Sequence, residues 1–280
     1  MHRFDHELRT RLPEHHQYFM DAIEANLAKW VSRHGHCEQL AHEAAEEVSG
    51  AGHQTATALI ASQATNLAGR MVGLTEGFID LANLDNTYAT PPVVRALYET
   101  ACVPCYMAHN IIPRLRKGRV NDVRRLTYRL GLGTGPGAGY GHIRPIGVPQ
   151  LNSATNQWVA NYLRDSGGDA VPVEKIAQMI YGPLSDRSHP NFGATHGGSS
   201  LQPGGMPDYI LRPTFDEGNI DELLSAASFM LLVGGEALDS VVAAIKQYPM
   251  PFPPGEPQWH DDDLLKPGEA SVKPPATEVV

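Results

Sequence analysis

The residues best suited to chemistry collect in a few short stretches. The richest is Tyr181-Gly-Pro-Leu-Ser-Asp-Arg-Ser-His-Pro-Asn-Phe-Gly-Ala-Thr-His196. There Asp186 can orient His189 and fix its tautomer, and Arg187 can hold an anion. With His196 these residues form the candidate catalytic set, with acid–base or anion-stabilising roles. The competing reading is structural, with Ser185 and Asp186 capping a helix end while His189 packs. No nucleophile elbow and no complete metal set accompanies the stretch.

Basic charge forms the second feature. Arg114, Arg116, Lys117, Arg119, Arg124, Arg125 and Arg129 hold 7 of the 22 Lys and Arg, against Asp122 alone. Clustered guanidinium groups bind phosphate oxygens in forked pairs, so Arg124, Arg125 and Arg129 are the candidate phosphate-binding residues. The alternative is a solvated helix face answering acidic surface elsewhere.

The remaining motifs read as structure. His2, His6, His15, His16, His34, His36, His42 and His53 crowd the N-terminal quarter. They lack metal-ligand spacing: His42-Glu43-x-x-Glu46 is not a zincin motif, and no Glu-x-x-His occurs, so surface histidines are expected and no metal is assigned. Cys102-Val-Pro-Cys105 has the spacing of a redox pair but sits inside an apolar helical face, where small core residues are expected. The alternating glycines Gly131, Gly133, Gly135, Gly137, Gly139 and Gly141 lack a preceding strand and a Walker Lys-Ser/Thr pair. They read as an inter-helix loop.

Helices must position all of these. Phe19, Ile23, Leu27 and Trp30 share one helical face, and Leu59, Leu67, Met71, Leu74, Phe78, Leu81 and Leu84 define another. Gly69, Gly73 and Gly77 repeat every four residues along the second, a stripe that admits a close neighbour. Pro91-Pro92 opens a helix carrying Val94, Leu97, Tyr98, Ala101 and Cys105, on which Arg95 and Glu99 can pair. A short helix from Asn121 follows, then one capped by Ser153 and stopped by Gly167, with Trp158 and Tyr162 one turn apart. Pro172 opens the next, with Ile176, Met179 and Ile180 facing inward. The last begins at Asn219 and runs to about Tyr248; its Leu223 to Ile245 stretch carries Glu236 and Asp239, as a buried central helix does and a membrane span does not.

No segment alternates as a strand does. The expected fold is all-α, an irregular bundle of seven or eight helices with Gly/Pro-rich loops. Residues 1–54 read as an N-terminal helical extension, 55–248 as the main domain and 249–280 as a Pro-rich acidic tail, expected from its composition to be disordered. The 280 residues carry a net charge of −9 and only 3 Cys, and the N-terminus has no apolar leader. Those features fit a reducing cytoplasm, no membrane and no disulfide framework.

Two stretches together, Arg95-x-Leu97-x-Glu99 and Tyr181-x-x-Leu184-Ser185-x-x-x-His189-Pro190, resemble an uncharacterised family of all-helical bacterial proteins. The resemblance covers roughly residues 55–248. It implies a helical domain closed by a long helix and an association with bacterial defence, and no established activity. HEPN helical ribonucleases, which place an Arg and a His four to six residues apart, are a more distant comparison. Arg187 and His189 are too close for that pattern and Arg187 and His196 too far, whereas Arg11 and His16 satisfy it.

The leading expectation is an effector that binds RNA or a nucleotide, with the loop at Asp186 to His196 supplying acid–base groups. The alternative is a non-catalytic protein that self-associates through the Gly69/Gly73/Gly77 helix or the Leu223 to Ile245 helix. A metal-dependent enzyme using His189 and His196 comes third. The sequence names no cofactor.

Overall fold

The computed structural model describes residues 2–51, 56–131, 145–167, 176–188 and 217–248, all of them helix, turn or irregular chain without a strand. The helices are α1 (His6–Arg11), α2 (Glu14–Ala51), α3 (Ala56–Asn83), α4 (Thr90–Tyr106), α5 (Ile112–Arg116), α6 (Val120–Gly131), α7 (Val148–Asp165), α8 (Ile176–Ser188) and α9 (Glu217–Gln247). Eight of these have six residues or more, the all-α bundle that the periodicity implied.

Four long helices make the centre. α2 packs on α3, α3 on α4, α4 on α9 and α9 back on α2, closing a ring. Register gives their directions. Arg11, just before α2, pairs with Asp85, just after α3, while His34 lies against Gly69; Arg70 meets Thr100, and a short turn at 84–89 joins α3 to α4, so α2, α3 and α4 alternate. His16 meets Asp221, Trp30 meets Leu231 and Arg33 meets Asp239, so α9 runs parallel to α2 and hence to α4. A parallel fourth helix requires the chain to return the length of the bundle first.

The core follows from residue type. Ile23, Leu27 and Trp30 are fully buried on α2, as their spacing implies, and Met20 joins them. Removing each large apolar side chain from water contributes roughly 1.5–3 kcal/mol. The Trp30 indole donates to the Leu231 carbonyl at 3.0 Å, which satisfies its one polar atom inside that core. Phe4, Leu8 and Leu12 belong to the same cluster, so one core takes side chains from both sides of residue 54.

On α3 the buried face differs from the one drawn through its leucines. Met71 and Phe78 are buried, but Ile60, Ala64, Ala68, Ile79 and Ala82 complete the face, while Leu84 lies in the turn and is exposed. The glycine stripe is only partly used. A Cβ at Gly69 would lie 3.0 Å from the His34 ring, whereas nothing lies within 4 Å at Gly73 or Gly77. A close approach to another helix's backbone occurs instead at Gly234 of α9, where a Cβ would lie 2.9 Å from Ala101 Cβ and 3.2 Å from Ala101 Cα.

Local backbone chemistry shapes the rest. α4 continues past Pro104 into a π-helical turn, Met107–Ile111, where the Ile112 amide donates to the Met107 carbonyl. Pro113 follows and has no amide to offer the carbonyl of His109, a sufficient reason for the ladder to shift here. α7 begins at Val148 with Pro149 in its first turn, so Ser153 lies inside the helix rather than capping it. Gly167 does end it, at φ +75°. α9 starts at Glu217, two residues before Asn219.

α9 is long and apolar enough to cross a membrane by length and composition. It lies within the bundle between α2 and α4, and its Glu236 and Asp239 both face Arg33.

Candidate functional site

The two motifs separated by some eighty residues of sequence meet in space. Arg95 Nε donates to Glu99 Oε1 at 3.0 Å, and Arg95 Nη2 donates to the Tyr181 hydroxyl at 2.9 Å. The guanidinium also lies 5.2 Å from the Tyr181 ring centroid. Tyr98, one turn along α4, places its ring 5.5 Å from that of Tyr181 and donates its hydroxyl to Asn152 Oδ1 at 2.9 Å. Burial first, and then the neighbouring Cys102, push the Tyr98 phenol well above its ordinary range. A hydrogen bond to a charged donor contributes about 1.5–3 kcal/mol, so this cluster fixes both α8 and α7 to α4.

The same contacts hold the first half of the Tyr181 to His196 stretch as helix: α8 runs through Gly182-Pro183 to Ser188, past the Asp186 at which the loop was expected to begin. Pro183 is exposed, so the hydrogen bond it removes from Met179 lies on the solvent side, while Tyr181 and Leu184 hold the inner face. Met179, expected to face inward, is 72% exposed. Asp186 and Arg187 occupy the last turn of α8. His189 and His196, the Gly133 to Gly141 loop, Pro172 and the 249–280 tail lie outside the described residues.

The basic stretch divides by exposure. Arg124, Arg125 and Arg129 are half-buried on α6. Arg124 lies 6.0 Å from the Tyr128 ring, Arg125 Nη2 is 3.6 Å from Asp122, and the Arg129 carbonyl accepts from the Ile146 amide. Arg116, Lys117 and Arg119 are exposed around Gly118, whose φ of +66° makes the tight turn into α6. Arg119 pairs with Asp122 at 2.6 Å, and no described acid reaches Arg116 or Lys117. The exposed cations of this stretch are therefore Arg116, Lys117 and Arg119 at the turn, while Arg124, Arg125 and Arg129 are half-buried on α6.

His109, in the π turn, has its pKa lowered, chiefly by burial and then by Arg114, with Gln157 opposing the shift. Cys102 and Cys105 are buried, with burial raising the first to about 12 and the second well above its usual value. Such thiols are core residues and poor nucleophiles, as their apolar setting implied.

Two features escaped the sequence. A cleft of about 310 Å³ between α2 and α9 is lined by Arg33, Cys37, Asp239 and Val242, with Lys246 Nζ donating to His36 Nε2 at 2.7 Å at its rim. At the other end of the same helix pair, His15, His16 and Asp221 converge, with His16 fully buried. The signal was present: His16 falls on the Met20, Ile23, Leu27 and Trp30 face, four residues before Met20. Its polar neighbours His15 and Gln17 mask that position among the surface histidines. Arg11, its partner in the ribonuclease-like spacing, instead forms an ion pair with Asp85 at the end of α3.

No protein-family model matches this chain, and neither a curated protein nor a solved structure does.

Proposed function

We propose that the protein is a helical effector that binds nucleic acid through the basic turn between α5 and α6. The observation that carries this reading is the exposure of Arg116, Lys117 and Arg119 at one tight turn, with Asp122 the single described acid paired there. Cations on an exposed turn suit a phosphate backbone passing across the surface, where each contact releases counterions. The half-buried Arg124, Arg125 and Arg129 extend the same positive face along α6. In this reading Asp186, Arg187, His189 and His196 are the candidate acid–base and anion-stabilising groups, and the Arg95–Tyr181 contact positions the helix that leads to them. We further propose a reducing, aqueous compartment and a defence-type role, in keeping with the buried thiols and the resemblance of the two motifs.

The experiment is fluorescence anisotropy with a labelled single-stranded RNA and, in parallel, a fluorescent ATP analogue, each across a salt series. Replacing Arg116, Lys117 and Arg119 together by Gln lowers the slope of log K against log salt by roughly 2 for RNA, at about 0.7 per lost contact. An unchanged slope refutes the reading. Binding of the nucleotide alone moves the ligand from nucleic acid to nucleotide.

A further inference from the structure

We propose that His15, His16 and Asp221 form a binding site for a zinc-class divalent metal ion at the start of α2 and α9. The Nε2 atoms of both imidazoles address one carboxylate oxygen, Asp221 Oδ1, at 3.7 Å from His15 and 3.2 Å from His16. All three ligand atoms lie within 4.8 Å of one another, and the two rings are 4.0 Å apart between centroids, tilted by 40°.

Coordination geometry tests the fit. With Zn–N and Zn–O bonds of roughly 2.0–2.1 Å, ligand atoms of a tetrahedral site lie about 3.3–3.4 Å apart. The two imidazole–carboxylate separations, 3.2 and 3.7 Å, bracket that edge, and the two imidazole nitrogens lie within 4.8 Å of each other. Two imidazoles and a carboxylate also select zinc and its transition-metal neighbours over calcium or magnesium, which take oxygen ligands.

A simple ion pair accounts for less. An Asp221–His16 contact needs only one imidazole, yet the second, on the adjacent residue, turns its Nε2 toward the same oxygen. His16 is held rigidly by full burial on the core stripe of α2, whereas His15 and Asp221 are 61% and 47% exposed at the side chain. The site is therefore built from the core outward and opens to solvent. Three protein ligands leave a fourth position for water or an anionic ligand, the arrangement of zinc sites that act on substrates rather than of closed structural ones. The ion also ties the first turns of two parallel helices that no short connection joins. This inference is independent of the basic turn.

The test uses the full, tag-free chain, because the N-terminal quarter holds other histidines. Protein stripped with a chelator is titrated with Zn²⁺ against a chromophoric competitor, and with Co²⁺ by visible absorption. One equivalent of zinc binds, and the cobalt form shows the intense bands of a four-coordinate site. His15→Ala and Asp221→Asn, both at exposed positions, each weaken binding at least about tenfold while helix content and the metal-free melting midpoint stay those of the parent. Absence of binding, or one equivalent that survives both substitutions unchanged, overturns the proposal. The second result places the ion on other histidines.

Discussion

Gly234 decides how closely α9 and α4 can approach, and Gly234→Ala measures it. The added Cβ would lie 2.9 Å from Ala101 Cβ, 3.2 Å from its Cα and 3.4 Å from its carbonyl oxygen. Non-bonded carbon atoms settle at about 3.5–4.0 Å, so the helices must separate by several tenths of an ångström along a fully buried seam. Overpacking of that kind costs about 1–3 kcal/mol, and the upper half applies because two of the opposing atoms are backbone. Against it stands the better helix propensity of Ala, about 1 kcal/mol. The net is a destabilisation of about 1–2 kcal/mol. Gly73 supplies the control: nothing lies within 4 Å of a Cβ there, so Gly73→Ala keeps only the propensity gain and stabilises by up to about 1 kcal/mol. Urea unfolding followed by circular dichroism gives both values. Shifts of opposite sign support the seam; equal shifts, or a Gly234→Ala protein as stable as the parent, refute it. Adding Ala101→Gly to Gly234→Ala removes the nearest atom and recovers part of the loss, with a coupling of about 1 kcal/mol.

Two further outcomes follow from named contacts. Tyr181→Phe keeps the ring against Tyr98 but removes the acceptor from Arg95, and lowers stability by about 1–2 kcal/mol in the same assay; Tyr162→Phe, whose ring stacks on Trp158 at 5.1 Å, changes it by less than about 0.5 kcal/mol. Burial raises the folded-state pKa of Cys37 to about 11 and of Cys102 to about 12. The unfolded thiols ionise near pH 8.5, so above that pH the unfolded chain holds fewer protons and stability falls as pH rises. For Cys102 the slope is up to about 1.4 kcal/mol per pH unit, and Cys102→Ala flattens the alkaline limb of a stability–pH profile between pH 8.5 and 10.5. A parent profile flat over that range contradicts the burial argument.

What the residues alone disclosed depended on size and spacing. On α2 the large residues themselves form the buried face, so Ile23, Leu27 and Trp30 identify it. On α3 the buried face includes Ala64, Ala68 and Ala82, which have little apolar surface and leave no strong periodic signal. A pattern drawn through the leucines therefore ran along the edge of the true face. Glycines misled in the same way, since spacing cannot say which of Gly69, Gly73 and Gly234 another helix will cross. Gly182-Pro183 reads as a helix end, but tertiary contacts at Tyr181 and Leu184 carry α8 through it. The metal-type cluster joins residues 15, 16 and 221, a separation at which no spacing rule operates.

The parallel course of α9 separates the two proposed sites physically. Ala101 lies beside Gly234, and α4 with its continuation into α5 runs parallel to α9, so the basic turn after Arg116 lies beyond the C-terminal half of α9. Asp221 sits near the opposite end of α9. Residues 221 and 246 are about 38 Å apart at 1.5 Å per residue, several Debye lengths at physiological salt. Direct electrostatic communication between a bound metal and the basic turn is therefore screened away. Neutralising Arg116, Lys117 and Arg119 leaves zinc affinity unchanged, and Asp221→Asn leaves the salt slope of RNA binding unchanged. A zinc affinity that moves with the basic turn points instead to an ion held near it, and refutes the assignment to His15, His16 and Asp221.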